Sequence, residues 1–247
     1  MLGATTEWSA NEGITYDAES NTLYVASSGI GDGMLDNYVD EEEGDAFDLG
    51  GHNDIRLPEA TSCAGIYALE LAQGQQAYND GYSETSKPAE TIDSPYVGVN
   101  MKTELMGREW TEEEALSRGY GEIFEYNICD VDGIAEPDNL AFIPGTATLL
   151  IAQDSEEHEN DYLWAYNTRR KELTRIQSAP QGSEFSTPYF FPDVNGFAYM
   201  TSGIQHPFDQ EELVEDLGYP EDAAPTGDER GTLGYFGPFP KFEYSEN

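Results

Sequence analysis

The chain has 247 residues, of which 49 are Asp or Glu and 11 Lys or Arg, giving a net charge of −38 at pH 7. Its length suffices for one large domain with a buried core, and its 12 % aromatic content (16 Tyr, 11 Phe, 3 Trp) excludes the aromatic-poor composition of a disordered acidic chain. The charge disfavours nucleic acid and anionic membranes as partners and points to a halophilic surface, solvated at molar salt, where the Debye length is about 3 Å. The cluster Arg169, Arg170, Lys171 and Arg175 beside a turn is too small to reverse that expectation.

At the front, Met1 to Trp8 has neither a charged n-region nor an apolar h-region, so no signal peptide is expected, and the chain is either cytoplasmic or lacks its front. EGITYDAESNTLYVASS (Glu12 to Ser28) then reads as two alternating strands around a polar turn, a β-hairpin. Next comes GIGDGMLDNYVDEEEGDAFDLGG (Gly29 to Gly51), with seven acids between Asp36 and Asp48 and no sustained apolar period. It predicts a long loop, solvated or cation-binding, within an acidic insertion over residues 29–61. Strands are expected at Ala64 to Ala72, Tyr96 to Thr103 and Glu122 to Asn127. A short helix is expected at Thr111 to Arg118, where Thr111 can cap and Glu114 can close a capping box before Gly119 stops the helix.

Two further stretches align with the first hairpin without a gap: DNLAFIPGTATLLIAQD (Asp138 to Asp154) and STPYFFPDVNGFAYMTS (Ser186 to Ser202). The 48-residue offset between them is close to the roughly 40–50 residues of one propeller blade. Strands at Asp161 to Asn167 and Glu172 to Ser178 complete a four-stranded blade between them. The predicted fold is therefore all-β, a β-propeller or incomplete ring with long acidic loops and few helices, forming a single domain over residues 1–247. A second short helix is expected at Gln210 to Leu217, inside a tail over residues 207–247. No run of 18 apolar residues is present, so no membrane span is expected. Cys63 and Cys129 lack metal or redox spacing and are too few for a disulfide scaffold, so they read as buried thiols.

The repeat places acids at matching hairpin starts, Glu12 and Asp138, and polar residues at matching exits, Ser28, Asp154 and Ser202. Equivalent ends of successive blades converge around a propeller axis, so such acids could form a ring of oxygen ligands for a hard cation such as calcium, or could simply be solvated loop acids. Gln205 and His206 follow the last aligned strand in GIQHP, and His158 follows the second; each imidazole could bind a metal, relay a proton or merely form a hydrogen bond. There is no Gly-x-Ser-x-Gly elbow, Gly-x-x-x-x-Gly-Lys loop or His-Glu-x-x-His helix.

The series EGITYDAESNTLYVAS, CAGIYALEL, CDVDGIAEPDNLAF, AQDSEEHENDYLWAYN and TPYFFPDVNGFAYMTSGIQHP resembles, in order, the C-terminal part of the PhoX family of alkaline phosphatases, with GYFGPFP at Gly234 to Pro240 also in keeping. The resemblance implies a β-propeller phosphomonoesterase using calcium with iron, acting on small phosphate esters, and exported or at the cell surface in its full-length form. It implies that Glu12, Asp138 and Asp154 are metal ligands, Asn139 a substrate-binding residue, and Gln205 and His206 catalytic residues. It also implies an arginine two places before the glutamate to hold phosphate, where this chain has Ala10, and an amino-terminal portion without counterpart here, so that the chain reads as truncated. Besides metal ions and phosphate esters no partner is expected, and the chain reads as a monomer. The rival readings are a noncatalytic calcium-binding propeller module at the cell surface, or an inert product that does not fold alone.

Overall fold

A computed structural model of the chain describes residues 7–38, 55–73, 96–207 and 230–243. Its described residues form three antiparallel sheets and one α-helix. Strands β1 (Asn11–Asp17), β2 (Thr22–Ser27), β3 (Gly65–Gln73) and β4 (Tyr96–Met106) make the first sheet in sequence order. In the second sheet β5 (Pro137–Ile143), β6 (Thr148–Gln153), β7 (Tyr162–Asn167) and β8 (Glu172–Ser178) follow in the same order. The third holds β9 (Glu184–Val194), β10 (Phe197–Gln205) and β11 (Thr232–Pro240), so the segment read as a tail contributes a strand. Each sheet is one blade, and the three aligned hairpins are β1–β2, β5–β6 and β9–β10.

The repeat extends to the backbone. Asn21, Ala147 and Asn195 occupy one aligned position, and all three are left-handed, with φ of 57°, 54° and 53°. A single left-handed residue lets the polar turn reverse the chain; asparagine reaches that region readily, whereas alanine adopts it under strain. The first two hairpins lie 126 residues apart because blade 1 carries the acidic insertion between β2 and β3 and a long connection between β4 and β5.

Alternation sends one face of each sheet to the preceding blade and the other to the next. Across blade 2 the paired row Phe142, Leu149, Tyr166 and Leu173 packs on Tyr24, Ile66, Ala68 and Leu105 of blade 1. Tyr24 and Phe142 stack with centroids 5.9 Å apart. On the opposite face of blade 2, Ala141, Ile143 and Leu150 meet Phe190 and Met200 of blade 3.

The helix α1 (Glu112–Arg118) forms as expected. Thr111 Oγ1 accepts the N–H of Glu114, Glu114 returns a bond to the Thr111 N–H, and Gly119 ends the helix at φ 84°. The strand expected at Glu122 to Asn127 is instead a 3-10 turn over Phe124–Tyr126. Tertiary packing overrides its strand propensity: Ile123 and Phe124 turn onto Trp110, whose Nε1 donates to the Asn127 carbonyl at 2.7 Å.

Two further expectations change. Cys63 and Cys129 are buried, but as a disulfide with Cα atoms 5.7 Å apart, because the flanks of the two long connections meet behind β5. The insertion is not wholly solvated either: Ile30 and Met34 are buried with Ala64 and Tyr67. The densest acids of that loop and the helix expected at 210–217 lie outside the described residues. Among the described residues no helix is long and apolar enough to cross a membrane.

Candidate active site at the blade ends

The innermost strands β1, β5 and β9 lie side by side, so their starting ends form one rim. Thr15 Oγ1 accepts the N–H of Phe142 at 3.0 Å, which ties β1 to β5. Gly13 presses on the Asp138 carbonyl and the Asn139 backbone, where a Cβ would have no room. Its neighbour Glu12 is thereby set beside Asp138, with Ser28 Oγ donating to Glu12 Oε1 at 3.3 Å. On the other side, Asn139 Oδ1 accepts the N–H of Thr187 at 3.0 Å, and its Nδ2 donates to Asp138 Oδ1 at 2.6 Å. Asn139 therefore joins β5 to β9 while it also holds Asp138.

Two carboxylates that sequence reasoning missed complete the rim. Glu136 precedes β5 by one residue, and its Oε2 accepts Ser155 Oγ and the N–H of Glu156, both at 3.0 Å. Glu184 opens β9, and its Oε2 accepts Gln205 Nε2 at 2.6 Å. The signal was present in the repeat: both stand two places before the aligned segments, at the position that Ala10 fills in blade 1. The structure thus brings Gln205 to the acids, whereas His206 follows it as an exposed residue with a left-handed φ of 47°.

Crowded carboxylates in partial burial resist ionisation. Burial first, then the Glu12 charge, raises Asp138 above the usual carboxylate range. Asp154, just beyond β6, is pushed up to about 7 by burial and then by Glu184 and Asp138. The Glu184 side chain beside it adds to that rise by favouring the protonated Asp154 carboxyl. Burial also raises Glu136. Beneath them Asp161 is fully buried and raised by that burial, accepting the Ser155 N–H at 2.9 Å.

Two expected rim residues lie elsewhere. Ser202 is buried between blades, where its Oγ donates to Gln177 Oε1 at 2.8 Å. His158 does not face the mouth: it is fully buried, its Nδ1 is 2.9 Å from Gln153 Nε2, and burial holds it neutral with a pKa lowered to about 4. At the opposite ends of the strands, a cleft between blades 1 and 2 gathers Lys102, Arg169 and Lys171, each paired to a glutamate: Glu70, Glu19 and Glu104.

The rim's donors are hard oxygens, which suit calcium in kind. They do not fit as a ligand set: among the described residues no three His, Cys, Asp or Glu side chains stand close enough to hold a metal ion. Iron fares no better, because His158 is turned inward and both cysteines are in the disulfide. The arrangement as it stands can share a proton between carboxyls, accept hydrogen bonds and attract cations from solution.

No family model and no curated protein matches the sequence. Among solved structures, Pseudomonas fluorescens PhoX in complex with vanadate, a transition state analogue, is similar with a TM-score of 0.50 and 16 % sequence identity. The likeness covers 94 % of this chain, which spans about a third (34 %) of the length of that one. At that identity the likeness is one of fold, of the β-propeller type.

Proposed function

We propose that the chain is a three-bladed part of a phosphomonoesterase of the PhoX type, acting on small phosphate esters at the rim where β1, β5 and β9 begin. The observation that carries this reading is the convergence of Glu12, Asp138, Asp154 and Glu184, contributed by three blades, with pKa values raised at Asp138 and Asp154. The fold likeness to a phosphatase holding a transition state analogue supports it. The disulfide supports an exported protein, since such bonds persist in oxidising compartments.

In this reading the oxygen of water bonds to phosphorus as the ester P–O bond breaks, and Asp154 supplies a proton to the departing ester oxygen, because a carboxyl titrating near 7 is an effective acid at the pH where it works; the products are the free alcohol or phenol and inorganic phosphate. Glu184 stands beside Asp154 and is itself oriented by Gln205. Asn139 positions Asp138, and His206, exposed at the rim, faces the ester. Calcium and iron, the expected ions of this family, would offset the charge of the bound phosphate, but the described residues of the rim provide no ligand set for them and none of these roles depends on one.

The test is phosphate release from an aryl phosphate in multimolar potassium chloride with calcium and iron supplied. Turnover that falls at least about tenfold in Asp154→Asn is the expected result. No turnover by folded protein, or equal turnover by Asp154→Asn, sinks the assignment. One observation favours a second reading, a calcium-binding module without catalysis: Ala10 stands where the family's phosphate-holding arginine is expected. That module would take up calcium and leave the ester intact.

A further inference from the structure

The stretch Gln153 to Trp164 reads QDSEEHENDYLW and joins β6 to β7. The rim uses its Asp154, yet Gln153, Ser155, His158 and Asp161 are all buried polar residues of the same stretch. One network of hydrogen bonds connects them. Trp164 Nε1 can only donate, and it donates to Gln153 Oε1, which fixes which way round the Gln153 amide lies. Gln153 Nε2 therefore donates to His158 Nδ1 at 2.9 Å and to Asp161 Oδ1 at 3.4 Å. His158 Nδ1 is the acceptor, so the imidazole is neutral and carries its proton on Nε2. Asp161 Oδ2, with the carboxyl held in this way, accepts the N–H of Ser155 at 2.9 Å. The end of the β6–β7 loop thus grips its beginning, one residue after Asp154.

Asp161 is itself anchored. It directly precedes β7, and its carbonyl accepts the Ala179 N–H at 2.8 Å, just beyond β8. From the β5 side, the Glu136 carbonyl accepts the Asp154 N–H at 3.3 Å, and Glu136 Oε2 accepts Ser155 Oγ and the Glu156 N–H. A turn tethered from one side can pivot, whereas a turn tethered from both keeps one orientation. We propose that Asp161 is a positioning residue: by holding the Ser155 N–H it aims Asp154 at the ester, with Gln153, His158 and Trp164 as its brace. Proton transfer depends steeply on such alignment, since a misplacement of about 1 Å can cost about a hundredfold in rate. The role rests on the reading of Asp154 as the acid, whereas the brace is a property of the loop alone. His158, which could have bound a metal or relayed a proton, serves here to hold an amide in place.

The experiment measures aryl phosphate hydrolysis, under the conditions given above, together with amide hydrogen exchange on the whole chain. Asp161→Ala removes the acceptor. Its kcat should fall at least about tenfold with KM within about twofold, and the Asp154 and Ser155 amides should exchange at least about tenfold faster. Asp161→Asn keeps an oxygen that can accept the Ser155 N–H and should restore most of both. A purely structural Asp161 would lower the melting temperature of the alanine variant and leave the kcat of the folded enzyme alone. Near-ultraviolet circular dichroism checks folding; should Asp161→Ala not fold, Asp161→Ser takes its place, with a hydroxyl too short to reach Ser155. Unchanged kcat in the folded variant overturns the proposal, as does Asp161→Asn no better than Asp161→Ala. No turnover by the unmodified chain sinks the phosphatase reading instead, and exchange then decides: faster exchange at Asp154 and Ser155 in Asp161→Ala alone upholds the tether, and equal rates in all three chains overturn it.

Discussion

Asp154 is where a single side chain couples the rim to pH. Its folded-state pKa of about 7 lies above the usual carboxylate value near 4, so between those limits the folded chain binds this proton more tightly than the unfolded chain does. Its contribution to stability is therefore greatest below about pH 4, falls as pH rises through about 7, and is flat above. Burial of neutral His158, lowered to about 4, acts in the opposite sense, with stability gained as pH rises toward about 6.5. Asp154→Asn should remove the first effect and leave the second. From pH 5 to pH 8 the melting temperature of the unmodified chain should drop relative to that of the variant, which should be the more stable at pH 8 by on the order of 1 kcal/mol after allowance for solvent screening. Parallel curves would mean that Asp154 is ionised throughout.

The connection between β4 and β5 depends on one cation more than on its helix. Arg118, the last residue of α1, donates to both oxygens of Asp130 at 2.8 Å and also to Asp132, and its guanidinium lies 5.2 Å from the Trp110 ring centroid. Burial alone would raise Asp130; Arg118, the Asp132 N–H and Arg108 outweigh it and hold the carboxyl below its usual range. Its side chain is mostly buried, so loss of the arginine leaves an underpaired charge. Arg118→Ala should destabilise the chain by about 2–3 kcal/mol, whereas Arg170→Ala, in an exposed pair with Glu172, should cost under about 1 kcal/mol. Denaturant midpoints of the two variants check the ranking, and equal losses would contradict it. The same connection shows why Glu122 to Asn127 deceived as a strand: its β-branched and aromatic residues favour a sheet, but Trp110 offered Ile123 and Phe124 a closer packing surface.

For the molecule as a whole, the disulfide closes a span of 66 residues that includes β3, β4 and α1. A crosslink over that span stabilises by about 4 kcal/mol in the chain-entropy account. It also anchors the approach to β5, since the Cys63 carbonyl accepts the Glu136 N–H at 3.1 Å. Reduction, or a Cys63→Ser, Cys129→Ser pair, should lower the melting temperature by several degrees or more and loosen the rim at Glu136. A melting temperature unchanged by reductant would show that packing alone holds the two connections together.

The sequence by itself determined the repeat, and with it the three hairpins, the four-stranded second blade, the capped helix and the gathering of Glu12, Asp138 and Asp154. Local alternation, turn chemistry and aligned spacing are properties of the chain, and they remain legible without any tertiary contact. Only the tertiary structure decided what depends on neighbours distant in sequence. Glu136 and Glu184 belong to the rim because β1, β5 and β9 lie side by side, His158 is turned inward by packing around Gln153, and Cys63 meets Cys129 because the flanks of two long connections pack together beside Ala135. The spacing of 48 residues announces a blade, but which of its faces is left bare depends on how many blades stand beside it.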